Sequence, residues 1–172
     1  MEITKHVPVL LQEVINTLYL KPADSFADVT LGGGGHFLAL LEKLDSNGKA
    51  YAFDQDINAI MRVSEILQSR GFKVVEKNDK DETLMKEKLT VTLIRDNFIN
   101  FSKWINKKGI KLKGVIADLG LSTDQVEDEN AGFSYLDDDS ILDMRLDKSS
   151  QVRACDLLNG LYKKELEKLF VD

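Results

Sequence analysis

Three stretches of the 172-residue chain hold residue types able to bind or react with a small molecule. The first is Leu31-Gly32-Gly33-Gly34-Gly35-His36. Glycines between a strand and a helix can take positive φ and let a ligand approach the backbone, while the new helix offers unpaired N–H groups. By itself the run also suits a tight turn built only for packing, and His36 alone suits a helix start or a packing position. The second stretch is Phe53-Asp54-Gln55-Asp56, with Asp54 20 residues after Gly34. A carboxylate at that distance, at the end of a second strand, can accept hydrogen bonds from both hydroxyls of a ribose. Asp56 reads as the cap of a following helix, with Asn58 as its competitor. The third is Asp118, which ends GVIAD and is followed by Gly120, Ser122 and Gln125. A carboxylate there can receive a positively charged group or an amine, or it can stabilise a turn.

Regular elements must carry these stretches. Pro8 can open a helix in which Leu10, Leu11, Val14, Ile15 and Leu18 recur at helical spacing, and the Lys21-Pro22 step is expected to end it. FADVTL (26–31) reads as a buried strand, HFLALLEKL (36–44) as a helix, AYAFD (50–54) as a strand, and IMRVSEILQSR (60–70) as a helix closed by Gly71. Such alternation predicts an α/β fold with a parallel sheet and right-handed crossovers, whose ligands gather at the carboxyl ends of the strands. FKVVEK (72–77) and VTLIRDNF (91–98) both resemble strands. The charged residues between them read as a solvated insertion with one exposed helical piece. GVIADLG (114–120) is expected to be a central parallel strand because it is apolar throughout. A polar segment (121–150) and a final helical stretch from about residue 153 follow.

Composition limits the function classes. Hydrophobic residues make up 43% and charged residues 30%, and no apolar run reaches the roughly 18 residues of a membrane span, so a single soluble domain without membrane association is expected. MEITKHVPVL lacks the pattern of an export signal. One cysteine, Cys155, allows no internal disulfide and no cysteine-based metal site, which fits a reducing, cytoplasmic setting. The net charge of −6 argues against holding nucleic acid by bulk charge, so any such contact must be local. Lys103, Lys107, Lys108, Lys111 and Lys113 crowd together and read as a solvated helix end, with RNA contact as the alternative.

A glycine turn plus a ribose-binding acid fits two ligand classes, a nicotinamide or flavin dinucleotide and S-adenosylmethionine. A pyrophosphate site asks for G-x-G-x-x-G, whereas these glycines are contiguous and Phe37 stands two places after Gly35. Asp54, Asp56 and Asp118 would also repel a pyrophosphate while suiting a sulfonium and an ammonium. The cationic cofactor is therefore favoured, with a nucleotide-dependent oxidoreductase as the rival.

The chain resembles the bacterial 16S rRNA cytosine-N4 methyltransferases, the small-subunit rRNA methyltransferase H family. Six ordered blocks carry the likeness: 6–14, 28–36, 52–60, 114–122, 132–135 and 142–147. The resemblance implies a Rossmann-like methyltransferase fold that binds S-adenosyl-L-methionine. It implies that Gly34, Gly35 and His36 contact the methionine and ribose side, that Asp54 takes the ribose hydroxyls, that Phe98 lies near the adenine, and that Asp118 and Gln125 close the pocket. It selects VTLIRDNF as the third sheet strand and makes 71–90 an insertion. The implied substrate is the N4 of a cytidine in 16S rRNA of the small ribosomal subunit, and Asp118 or a nearby backbone carbonyl is the candidate acceptor for the amine proton. Members of the family run to roughly twice this length, so an N-terminal portion is expected, with an incomplete sheet and an exposed edge. The expected division is a cofactor-binding core (1–122) and the start of a helical insertion (123–172). A cofactor-binding but inactive module is the second rival. The oligomeric state is left open.

Overall fold

Strands form in this chain where β-branched and aromatic residues alternate between two faces. In the computed structural model, which describes residues 8–45, 47–121, 126, 128, 131–134 and 140–171, the order is α1 (Leu11–Leu18), β1 (Ser25–Asp28), α2 (Gly35–Leu41), β2 (Lys49–Asp54), α3 (Ile57–Ser69), β3 (Lys73–Lys77), β4 (Asp81–Lys86) and β5 (Leu89–Arg95). A short 3₁₀ turn (Phe98–Asn100), α4 (Phe101–Lys108), β6 (Gly114–Ile116), α5 (Ala154–Gly160) and α6 (Lys163–Val171) complete it. The chain divides into two compact units, 1–119 and 120–172.

The first unit is built on one sheet of order β3-β4-β5-β2-β1-β6. The four strands β5-β2-β1-β6 run parallel, with Ser25 opposite Lys49, Asp54 opposite Arg95 and Asp28 opposite Ile116. This is the Rossmann-like arrangement, and the order of the strands reverses between β1 and β6. Alternation divides the core. Ala50, Ala52, Val91 and Leu93 face one way and pack with Phe37, Leu40, Val63 and Leu67 of α2 and α3, with Val14, Ile15 and Leu18 of α1 against them. Tyr51, Phe53 and Ile94 face the other way, toward Phe101 and Trp104 of α4. The Phe53 ring meets both of these edge-on, with centroids 5.4 Å apart, a geometry that adds to the burial itself.

Four expectations need correction. Residues 78–89 are not a helical piece: β4 lies between β3 and β5 in the sheet, antiparallel to both. Its alternation buries Leu84 completely and Glu82 at 6% exposure, the latter with Lys77 Nζ 3.2 Å from its carboxylate. Asn78 folds the first turn by accepting from the N–H groups of Lys80 and Asp81. The second, at Glu87-Lys88, places Glu87 at φ 56°. Helix α1 ends at Leu18, before the Lys21-Pro22 step, because Tyr19 turns left-handed at φ 43° and its N–H bonds Ile15 O. β6 is shorter than expected and pairs with β1 alone among the described residues, leaving Val115 46% exposed. Likewise VTLIRDNF stops being a strand at Arg95, and Phe98 opens the 3₁₀ turn.

In the second unit, Gly132 (φ 71°) is required because a Cβ there would sit 2.4 Å from Ile141 O. Asp143 accepts from Arg145 Nε at 2.6 Å, Arg145 Nη2 at 2.9 Å and Lys148 Nζ at 3.1 Å. The last helical stretch breaks in two, since Leu161 is extended (φ −86°, ψ 146°).

Candidate cofactor site at the strand ends

Strand ends β1 and β2 each finish in an aspartate, and the parallel register brings both to the same edge of the sheet. The glycine turn is stitched to the second of them: Leu31 N–H donates to Phe53 O (3.0 Å) and Gly32 N–H to Asp54 Oδ2 (2.8 Å). Asp54 Oδ1 accepts from Asp56 N–H at 2.9 Å. The backbone thus fixes both Asp54 oxygens at this edge of the sheet. Burial pushes the Asp54 carboxyl above its ordinary range, opposed by those backbone donors. Asp56 is the cap of α3, accepting from Asn58 N–H at 2.9 Å.

The four glycines do not share one role. Gly34 stands at φ 79°, and a Cβ there would lie 2.7 Å from Val63; one on Gly35 would lie 2.3 Å from Pro8. These two are demanded by the fold itself. A Cβ on Gly33 would meet nothing within 4 Å, so space opens beside this residue.

His36 is 8% exposed, and its Nε2 lies 3.0 Å from Val9 O. A carbonyl only accepts, so Nε2 carries a proton and donates it to Val9 O. Nδ1 stands 3.7 Å from Asp118 Oδ2. Nδ1 and the Asp118 carboxylate thus face each other across a gap longer than a hydrogen bond, and the carboxylate can receive a donor, above all a cation.

The Asp118 side chain is 65% exposed, yet its backbone is anchored: its N–H donates to Thr30 Oγ1 at 2.7 Å. Thr30 in turn is held by Asp28 Oδ1, which lies 3.0 Å from Thr30 N and 3.4 Å from Thr30 Oγ1. Asp28 is 2% exposed, and burial first of all drives its carboxyl up to about 6. Neither Asp28 nor Thr30 was singled out from the sequence. The signal lay in an acid followed two residues later by a hydroxyl at the end of a strand, the pattern of a side chain closing its own turn.

Phe98, 47% exposed, follows β5 beside Asn97, whose Nδ2 donates to Gln55 Oε1 at 3.1 Å. The loops after β2 and β5 are thereby tied together, and Asp96 N–H adds a bond to Asp54 O. Gln125 lies outside the described residues. Gly34, Gly35, His36, Asp54 and Asp118 are gathered at the carboxyl ends of β1, β2 and β6. The donor set fits a ligand that brings hydroxyls and a positive charge, and it does not fit a pyrophosphate.

No helix among the described residues is long and apolar enough to cross a membrane. Residues 3–172 match the model of the MraW methylase family. A ribosomal RNA small subunit methyltransferase H 1 of Acholeplasma laidlawii is 41% identical over 167 residues, 96% of this chain and 49% of that protein. Ribosomal RNA small subunit methyltransferase H proteins of Clostridioides difficile (36% over 168 residues) and Finegoldia magna (34% over 164) are covered over 48% and 46% of their lengths by 97% and 95% of this chain. The chain spans about half the length of the curated relatives it matches. A match that runs almost from end to end, on top of acids gathered at the reversal point of a parallel sheet, leaves one assignment: the chain belongs to the MraW methylase family.

Proposed function

We propose that this chain binds S-adenosyl-L-methionine and supplies the cofactor half of a methyltransferase acting on the N4 of a cytidine in 16S rRNA of the small ribosomal subunit, in the cytoplasm. The observation that supports it best is the family match over residues 3–172, which includes every strand-end acid of the crevice. In this reading Asp54 accepts the ribose hydroxyls, Gly34 and Gly35 let the ligand lie against the turn, and Phe98 covers the adenine. Asp118 receives the ammonium beside His36, and Gln125 closes the pocket.

The bound cofactor supplies an activated methyl group. The chain's own work is then to place and to deprotonate. A cytosine amine is a poor nucleophile because its lone pair is delocalised into the ring. A carboxylate accepting one of its protons localises that pair, and Asp118 is the candidate, being exposed at its carboxylate and fixed at its backbone. The target base must leave its stack to reach such a crevice.

Calorimetric titration with S-adenosylhomocysteine tests the cofactor reading: saturable one-to-one binding is expected, and none would sink it. Transfer of labelled methyl groups to unmodified small subunits tests the rest. Binding without transfer would mark this chain as a cofactor-binding module that needs further residues for catalysis. Asp118→Asn with undiminished transfer and intact cofactor affinity would remove Asp118 from the chemistry.

A further inference from the structure

Thr30 stands where the two loops flanking the switch point meet, the one after β1 and the one after β6. Its hydroxyl oxygen accepts the Asp118 N–H at 2.7 Å, the shorter of its two contacts. With its oxygen thus engaged, the hydroxyl proton points to Asp28 Oδ1 at 3.4 Å, and Asp28 Oδ1 also holds the Thr30 N–H at 3.0 Å. The far end of this chain is rigid, since Asp28 is 2% exposed within the sheet. The near end is an aspartate whose side chain is 65% exposed and whose carboxylate lies 3.7 Å from His36 Nδ1. An exposed side chain on a loop holds one direction only if its backbone is pinned, and the Thr30 hydroxyl pins it.

We infer that Thr30 is a positioning residue: through the Asp118 backbone N–H it aims the Asp118 carboxylate at the gap beside His36 Nδ1, where the cationic part of the ligand is received. The inference rests on the cofactor reading above and deepens it, because it names what fixes the one exposed acid of the site. Valine matches threonine in shape and lacks the hydroxyl, so Thr30→Val removes the clamp without a change of volume. Serine keeps the hydroxyl.

The test is titration of S-adenosylhomocysteine into the full 172-residue chain and its Thr30→Val, Thr30→Ser, Asp118→Ala and Thr30→Val/Asp118→Ala variants. Thr30→Val is expected to weaken binding about tenfold, the size of one lost hydrogen bond to a positioned charge, and Thr30→Ser to remain within about twofold of the parent. In the Asp118→Ala background, which keeps the N–H but has no carboxylate to aim, Thr30→Val is expected to cost nothing further. A purely structural hydroxyl would weaken binding equally in both backgrounds, and that result overturns the inference. So does wild-type affinity in Thr30→Val. Failure of the parent chain to bind overturns the cofactor reading and the inference together, whereas binding that ignores Thr30 overturns the inference alone.

Discussion

Asp28 and Asp143 are the same residue type in opposite circumstances. At the strand ends, burial is the largest influence on Asp28 and Asp54 and raises both carboxyls, against backbone donors and, for Asp28, against the Thr30 hydroxyl and the charge of His36. In the second unit, the guanidinium of Arg145 and the ammonium of Lys148 hold the Asp143 carboxyl far below its ordinary range. The paired acid has spent its charge within the fold. Asp28, 2% exposed, keeps its carboxyl for Thr30, whereas Asp54 holds Gly32 and Asp56 at an edge of the sheet that a ligand can reach.

Removing the acid that should matter most breaks the contrast most sharply. Two ribose hydroxyls donating to an ionised carboxylate contribute roughly 1.5–3 kcal/mol each, so Asp54→Ala is expected to weaken S-adenosylhomocysteine binding by a few hundredfold or more in calorimetry. Because Asp54 also holds the N–H groups of Gly32 and Asp56, Asp54→Asn is the control: it keeps one acceptor for the turn and still loses most affinity. Wild-type affinity in either variant would erase the distinction between the two regions.

A pH profile gives the next largest effect. Asp28 rises from 3.8 to about 6 in the folded chain, so folding favours its protonated form. Its contribution to stability is fully present below pH 3.8 and is lost as the pH rises through about 6, a swing of roughly 3 kcal/mol. Asp28→Asn keeps an oxygen for Thr30 and carries no charge. Chemical denaturation should therefore find it more stable than the parent at pH 8 and no more stable at pH 4. An equal difference at both values would mean that Asp28 is not the buried unpaired acid described above.

How far the sequence revealed these regions depended on whether the signal was local. β1, β2 and α3 were legible because each pairs an apolar periodicity with a sharp terminator: Asp56 for the start of α3, Gly71 (φ 91°) for its end. The acid that ends β2 and the glycine turn were legible because their spacing is a property of the chain alone. The hairpin of β3 and β4 was not. Its second turn uses Glu87 at positive φ where asparagine or glycine would have announced it, and its buried face joins Leu84 to a charged residue, Glu82, that the composition marks as surface. Local charge density suggested a solvated helix, and pairing with β5 overrode it. The Thr30 clamp was hidden for a different reason: Asp118 is 88 residues away from it, and no local pattern reports a partner at that distance.

Asp143→Asn sharpens the contrast from the other side. It should leave S-adenosylhomocysteine affinity within about twofold of the parent, while amide exchange quickens at Arg145, Ala154 and Cys155, whose N–H groups are held by Asp143 and its neighbour Leu142. A large loss of cofactor affinity would give the paired acid a ligand role that its two cations argue against.

The smallest effect belongs to the exposed pair at the start of α5. Asp156 accepts from Arg153 N–H at 2.9 Å and from its guanidinium at 2.8 and 3.0 Å, which lowers its carboxyl from 3.8 to about 2. Here the sign is the reverse of that for Asp28: the contribution is present above pH 3.8 and is lost as the pH falls through about 2. Being exposed, the pair is also screened by salt, as the buried acids are not. Arg153→Ala should therefore quicken amide exchange in the first turn of α5 at neutral pH, lose that difference in molar salt or below pH 2, and leave the Asp28 pH profile untouched. If the Asp28 profile shifts with Arg153, the two regions share their electrostatics, and acids cannot be sorted by their partners one region at a time.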